Sequence, residues 1–206
     1  MGLFQRPARR QPEEGALPID AREQPPAGRI VLTYEDYCAL PDDGKRYEII
    51  EGELYVTPSP SRAHQQFAAN LLVALKPFVA ARGLGEVFIA PFDVILEETS
   101  VVVPDLLFVS RERSGIVTDR GVRGAPDLIV EILSPGTGRR DRVEKAKLYA
   151  RHGVRHYWLA DPEIRVLEVY ELSEGQYRRA ASLADGDTFS PPLLPGLTIP
   201  LSSLWG

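Results

Sequence analysis

Apolar positions along the chain follow two periods. Between Ser61 and Gly83, the residues Phe67, Leu71, Leu72, Leu75, Phe78 and Val79 recur at helical spacing, and the glycine sits where such a helix would stop. This pattern predicts one long amphipathic helix, preceded by Ser59-Pro60-Ser61 and carrying His64 in its first turns. A shorter helix is predicted after Thr33, because Thr33 and Asp36 form a T-x-x-D capping pair and Pro41 blocks its continuation. Elsewhere the period is that of strands. Two β-prone runs within Arg46–Val56 flank Glu51-Gly52 and read as a hairpin. Glu86–Leu96 (interrupted by Pro91), Val101–Val109 and Asp127–Leu133 read as strands, the last two so continuously apolar that both faces should be covered. A charged helix is expected over Arg139–His152, ended by Gly153. Strands follow at His156–Ala160, Val166–Leu172 and Gln176–Leu183, with a turn at Asp161-Pro162-Glu163. Pro191, Pro192 and Pro195 predict an irregular C-terminal stretch that closes in short β or turn structure. Strand, helix and strand from Asp127 to Leu159 make a candidate crossover unit. The expected class is α/β (α+β) with a mixed sheet.

Composition narrows this picture. Residues 1–28 hold five prolines, several charges and little apolar periodicity, so they are expected to form a flexible tail ahead of one domain over 29–206. Apolar residues make up 44% of the 206 and charged residues 26%, which excludes a mostly disordered chain. The 24 basic and 29 acidic residues leave a net charge of −5, which argues against coating nucleic acid through the net field but permits a local basic face. The only cysteine, Cys38, has no internal disulfide partner, which excludes a disulfide scaffold and fits a reducing cytoplasm. No apolar run approaches the roughly 20 residues that span a bilayer, and the first residues lack the apolar core of a secretory signal. A cytoplasmic location without membrane contact is therefore expected.

Two acids do not fit their strands. Asp105 is the only charge in Val101–Val109, and Glu131 interrupts the run Leu128-Ile129-Val130-Glu131-Ile132-Leu133. Burying either as an ion costs several kcal/mol unless it is paired or bound to a metal. On neighbouring strands the two can converge on one cation, and hard oxygen donors suit Mg²⁺ or Mn²⁺. The bland alternative is that each acid bonds a helix terminus or an arginine, with Pro104-Asp105 marking a bulge or an edge. The next helix carries Arg139, Arg140, Arg142, Lys145, Lys147 and Arg151, against Asp141 and Glu144. Asp141, Lys145 and Tyr149 are spaced i, i+4, i+8 and share a face. Either this is a solvated face with an ion pair contributing about 0.3–0.5 kcal/mol, or Lys145 points at the cation site and the arginines contact phosphates.

The order Pro104-Asp105, Glu131-Ile132-Leu133 and Lys145 resembles the PD-(D/E)XK nuclease superfamily. More closely, the chain is similar to the Uma-type restriction endonucleases. That likeness extends over Thr33-Tyr34-Glu35-Asp36-Tyr37, Tyr47–Leu54, Ser59-Pro60 with His64, Pro126–Pro135, Asp141, Lys145 and Tyr149 before Gly153-Val154, Tyr157-Trp158 and Asp161-Pro162. The resemblance implies a restriction-endonuclease-like core, a mixed central sheet flanked by helices. It implies a Mg²⁺- or Mn²⁺-dependent endonuclease acting on nucleic acid, DNA more than RNA, and a homodimer. By that analogy Asp105 and Glu131 bind metal, Glu48 is an additional acid, and Arg139, Arg140 and Arg142 contact the nucleic acid. Lys145 stands in for a lysine two residues after the second acid, where this chain has Leu133, and Lys147 competes with it. His64, Asp141, Lys147 and Tyr149 are accessory candidates, with His64 capping or supporting a helix as its other reading. Two further classes stay open. One is a catalytically inactive nuclease-fold binder or regulator. The other is an interaction protein whose strand acids pair with the basic helix. In that last case Lys145→Ala would destabilise the fold by several kcal/mol, whereas a catalytic lysine is expected to be nearly neutral.

Overall fold

The computed structural model describes residues 30–134 and 140–206. The tail expected over 1–28 lies outside them. Helix α1 (Tyr34–Cys38) starts on the capping pair: Thr33 Oγ1 accepts the Asp36 N–H at 3.4 Å and Asp36 Oδ2 accepts the Thr33 N–H at 2.8 Å. Strands β1 (Arg46–Ile50) and β2 (Glu53–Thr57) form the predicted hairpin. Its turn residues Glu51 and Gly52 both have positive φ, 51° and 80°, as the tight hairpin turn matching strand twist requires. Helix α2 (Arg62–Arg82) begins where Ser61 accepts the His64 N–H at 3.2 Å and ends at Gly83 in the left-handed region.

Both strands that carry a proline divide in two. Glu86–Leu96 becomes β3 (Gly85–Ile89) and β4 (Asp93–Glu97), and Val101–Val109 becomes β5 (Ser100–Val102) and β6 (Leu106–Ser110). Each pair is shared between two sheets. Pro91 and Pro104 supply no ladder N–H, so the chain leaves one sheet at the proline and enters the other. Two short strands follow, β7 (Val117–Thr118) and β8 (Gly121–Arg123), and then β9 (Leu128–Ile132). The helix expected over Arg139–His152 is a π-helical turn, Arg140–Lys145, running into α3 (Ala146–Arg151). The chain closes with β10 (His156–Asp161), β11 (Val166–Ser173), β12 (Gln176–Ala184), β13 (Thr188–Phe189) and β14 (Ile199–Pro200).

The central sheet has the order β12-β11-β10-β9-β6-β3 and the second sheet β2-β1-β5-β4-β8-β7. Both are mixed: β9 runs parallel to β10 and β4 parallel to β8, and the other pairs are antiparallel. The β9–α3–β10 segment is the expected crossover, a connection that parallel neighbours require. Alternation sorts the central strands. Leu106, Phe108, Leu128, Val130, Ile132 and Trp158 pack with Phe67, Leu71 and Leu75 of α2. Leu107, Ile129, Leu133, Tyr157 and Leu159 pack with Leu148 and Tyr149 of α3 and with Ile50, Val94 and Val102 of the second sheet. Both faces are covered, which explains the continuous apolar runs. The proline-rich C-terminal stretch contributes core as well: Trp205 packs at a tilt against Phe67 with ring centroids 4.6 Å apart, and Phe189 meets Trp158 at 4.9 Å.

Asp127 ties β9 to the end of β6. Its carboxylate accepts the Ser110 N–H at 2.8 Å and a guanidinium N–H of Arg113 at 3.1 Å. Burial pushes this carboxyl up, but the bonds from Ser110 and Arg113 outweigh it and hold it below the ordinary carboxylate range. Asp127→Asn is expected to lower stability by about 1.5–3 kcal/mol at neutral pH. A group depressed in the folded state contributes fully above its unfolded value and loses its contribution as pH falls through the folded one. Urea titrations at neutral pH and below the carboxylate range should therefore show the gap between wild type and variant closing in acid.

Candidate active site

The site grows from β9. Strand alternation puts Glu131 on the α3 face with Ile129 and Leu133, where it is 3% exposed. Leu106 of β6 pairs with Val130, so continuing that register by one residue sets Asp105 opposite Glu131. Asp105 lies just before β6 rather than inside a strand. Its Oδ2 accepts the Ile132 N–H at 2.8 Å and lies 3.1 Å from His64 Nε2. These contacts offset the burial of the acid. His64, read either as a helix support or as an accessory site residue, is brought by α2 to Asp105.

A third acid comes from the other sheet. Glu48 on β1 is 1% exposed, and its Oε1 accepts the Val103 N–H at 2.9 Å while Oε2 accepts the Thr57 hydroxyl at 3.3 Å. Lys145 closes the π-helical turn, with Nζ 2.8 Å from Glu48 Oε1 and 2.9 Å from Glu131 Oε1. Tyr149, four residues on, donates its hydroxyl to Glu131 Oε1 at 2.6 Å. Burial, reinforced by the charges of Glu131 and Glu48, pushes the Tyr149 hydroxyl well up, so it remains a proton donor. Thus Asp105, Glu131 and Lys145 line one small cleft, and Glu48, from the other sheet, joins them through Lys145.

The cleft offers about 30 Å³, room for a water or two, between Arg46, Thr57, His64, Asp105, Glu131 and Lys145. Asp105, Glu131 and Glu48 stand against the Lys145 ammonium and the Arg46 guanidinium, a formal excess of one negative charge before His64 is counted. Both contacts of Asp105 use Oδ2. Among the described residues no three His, Cys, Asp or Glu side chains converge to complete a metal shell by themselves. Mg²⁺ is ordinarily held by one or two carboxylates, with water and substrate phosphate filling the rest. Hard oxygens, a net negative charge and room for a water therefore fit Mg²⁺ or Mn²⁺.

The other predicted residues fare differently. Lys147 is half-buried and does not line the cleft, so Lys145 is the lysine brought to the acids. Arg139 lies outside the described residues, as do the side chains of Arg140 and Asp141. Arg142 does not reach the cleft. It pairs with Glu168 and approaches Asp161 at 3.7 Å, because the nearly buried Glu168 needs a cationic partner.

A family profile described as "Uma2: Putative restriction endonuclease" matches residues 34–202. The chain belongs to the Uma2 family. A crystal structure titled as a "putative nuclease belonging to DUF820", from Anabaena variabilis, aligns with this Uma2 protein at 19% identity and a TM-score of 0.70. The alignment covers 84% of this chain and 97% of that one, and it shows the nuclease-type fold. The type IIG restriction endonuclease BpuSI aligns at 15% identity over 64% of this chain and 15% of its own, with a TM-score of 0.37, too loose to carry an argument. No curated protein matches the sequence.

Three contributors to the Uma2 cleft escape a reading of the sequence: Thr57, Arg46 and the backbone N–H of Val103. Thr57 and Arg46 were within reach of the hairpin register, since Arg46 pairs with Thr57 two positions from Glu48. The Val103 N–H carries no side-chain signal at all.

Proposed function

We propose that this protein is a Mg²⁺- or Mn²⁺-dependent endonuclease that hydrolyses phosphodiester bonds in nucleic acid, DNA before RNA. The observation that carries the reading is the meeting of Asp105, Glu131 and Lys145 at one cleft. Asp105 and Glu131 would hold the cation, which when bound polarises a phosphate and makes a water more acidic. Lys145 lies between two carboxylates and would face the negative charge that builds on the phosphate oxygens. Glu48 anchors that ammonium through its own bonds to Val103 and Thr57, so Lys145 needs no reorganisation during the reaction. Tyr149 keeps Glu131 oriented by donating to Oε1. A cytoplasmic homodimer, whose two sites could serve two strands, completes the proposal.

The test incubates pure protein with supercoiled and single-stranded DNA in Mg²⁺, Mn²⁺ or EDTA, with Asp105→Ala in parallel. Cleavage that needs both the cation and Asp105 is expected. Equal cleavage by both proteins, or none by either, would reject the reading. One observation favours an inactive binder instead: Lys145 already satisfies Glu48 and Glu131 without any metal. Calorimetric Mn²⁺ titration separates the two, since an active site should bind the ion and lose it in Glu131→Ala.

A further inference from the structure

Beside the cleft lies a second, wider hollow of about 410 Å³, and Arg46 and Val103 line both. It is built by α1, the start of β1 and the β7–β8 turn. Its wall carries three half-buried tyrosines: Tyr34, Tyr37 and Tyr47. Tyr34 and Tyr37 lie nearly parallel, with interplanar angle 17° and centroids 6.3 Å apart. Arg120 lines the same hollow and is exposed, and Arg123 rests over the Tyr34 ring at 5.1 Å. Elsewhere guanidinium groups are spent on carboxylates, as in Arg113, Arg142 and Arg151. Among the described residues, Arg46, Arg120 and Arg123 form no ion pair. Two acids line the hollow, the exposed Asp42 and Asp93, and Asp93 accepts the Tyr37 hydroxyl at 3.0 Å, which turns part of its charge inward.

Aromatic rings bordered by guanidinium groups that form no ion pair suit one class of ligand: bases that stack and phosphates that pair. A duplex hides its base faces in its own stack, whereas an unpaired strand offers them. We propose that this groove binds an unpaired nucleic-acid segment adjoining the scissile phosphate. Bases stack on Tyr34 and its neighbours, and Arg46 holds the backbone where groove meets cleft. The inference rests on the nuclease reading and narrows it to single-stranded or locally opened substrates. It also gives a net-acidic chain the local basic face that its overall charge lacks.

The experiment measures binding of a short fluorescein-labelled thymidine oligomer, and of a duplex of equal length, by anisotropy in EDTA, where no cleavage occurs. Wild type should prefer the unpaired strand. Tyr34→Ala and Arg120→Ala should each weaken it by about five- to hundredfold, with unchanged thermal unfolding, and Tyr34→Trp should restore affinity because it restores a stacking plane. Variants that bind as wild type does, or a duplex held as tightly as the single strand, would overturn the groove. Groove-dependent binding without cleavage by wild type supports the groove and rejects the nuclease, and cleavage indifferent to the groove variants does the reverse.

Discussion

Lys145→Ala is expected to lower the unfolding free energy by about 3–5 kcal/mol, the size of a broken buried ion pair. The lysine is 3% exposed, and its ammonium lies within 3 Å of Glu48 and Glu131, which are 1% and 3% exposed. Removing it leaves two carboxylates facing each other in a space that water barely enters. They must then take up a proton or draw water in, and either response costs free energy. Urea unfolding of Lys145→Ala should show the loss. A Lys145→Met, Glu48→Gln, Glu131→Gln triple variant should recover most of it, since an apolar chain among neutral amides leaves no uncompensated charge. A loss below about 1 kcal/mol, the level of an exposed pair, would show that the network is not closed in solution. This removes a distinction that the sequence invites. A catalytic lysine was expected to be neutral for stability and a structural one not, yet a lysine placed between two acids at the cleft serves both ends. Stability alone does not separate the functions, so cleavage must be read beside it.

Asp105→Ala should reduce cation-dependent cleavage by about a thousandfold, the several kcal/mol that a metal contributes to phosphoryl charge stabilisation. Asp105 differs from Glu131 in what else depends on it. Its structural contacts are one backbone N–H, from Ile132, and the His64 ring. Asp105→Asn keeps an oxygen for the Ile132 N–H while losing the charge. It should therefore unfold nearly as wild type does, while losing both Mn²⁺ binding by calorimetry and nicking of supercoiled DNA. Retained Mn²⁺ heat in Asp105→Asn would remove this acid from the cation site. Glu131→Gln is less clean, because it also disturbs the bonds from Lys145 and Tyr149.

Much of the architecture was legible because it is written in local signals. The capping pair at Thr33, the positive-φ turn at Glu51-Gly52, the Ser61-to-Gly83 helix and the β9–α3–β10 crossover all depend on residues close in sequence. The acids Asp105 and Glu131 were visible as charges in apolar runs, an anomaly that needs no partner to be noticed. What local reading missed has one cause. Pro91 and Pro104 break their strands, but only the packing of two sheets decides that the chain crosses between them there. The basic helix read either as a solvated face or as arginines on phosphates with Lys145 at the cation site. In the fold Lys145 turns inward to two acids and Arg142 is drawn to Glu168, since each buried carboxylate takes the nearest cation.

The order of residues alone determined which side chains carry charge into the interior, because a carboxylate or ammonium among apolar neighbours is a property of composition at that point. It also determined the helices and turns that local hydrogen bonds nucleate. Which acid meets which lysine was decided by the tertiary structure. Glu48, Asp105, Glu131 and Lys145 are spread over nearly one hundred positions, and their meeting depends on register between β6 and β9, on the hairpin brought alongside β5, and on the pitch of a π-helical turn. Those are consequences of how two sheets and a helix share one interior, and no window of sequence contains them.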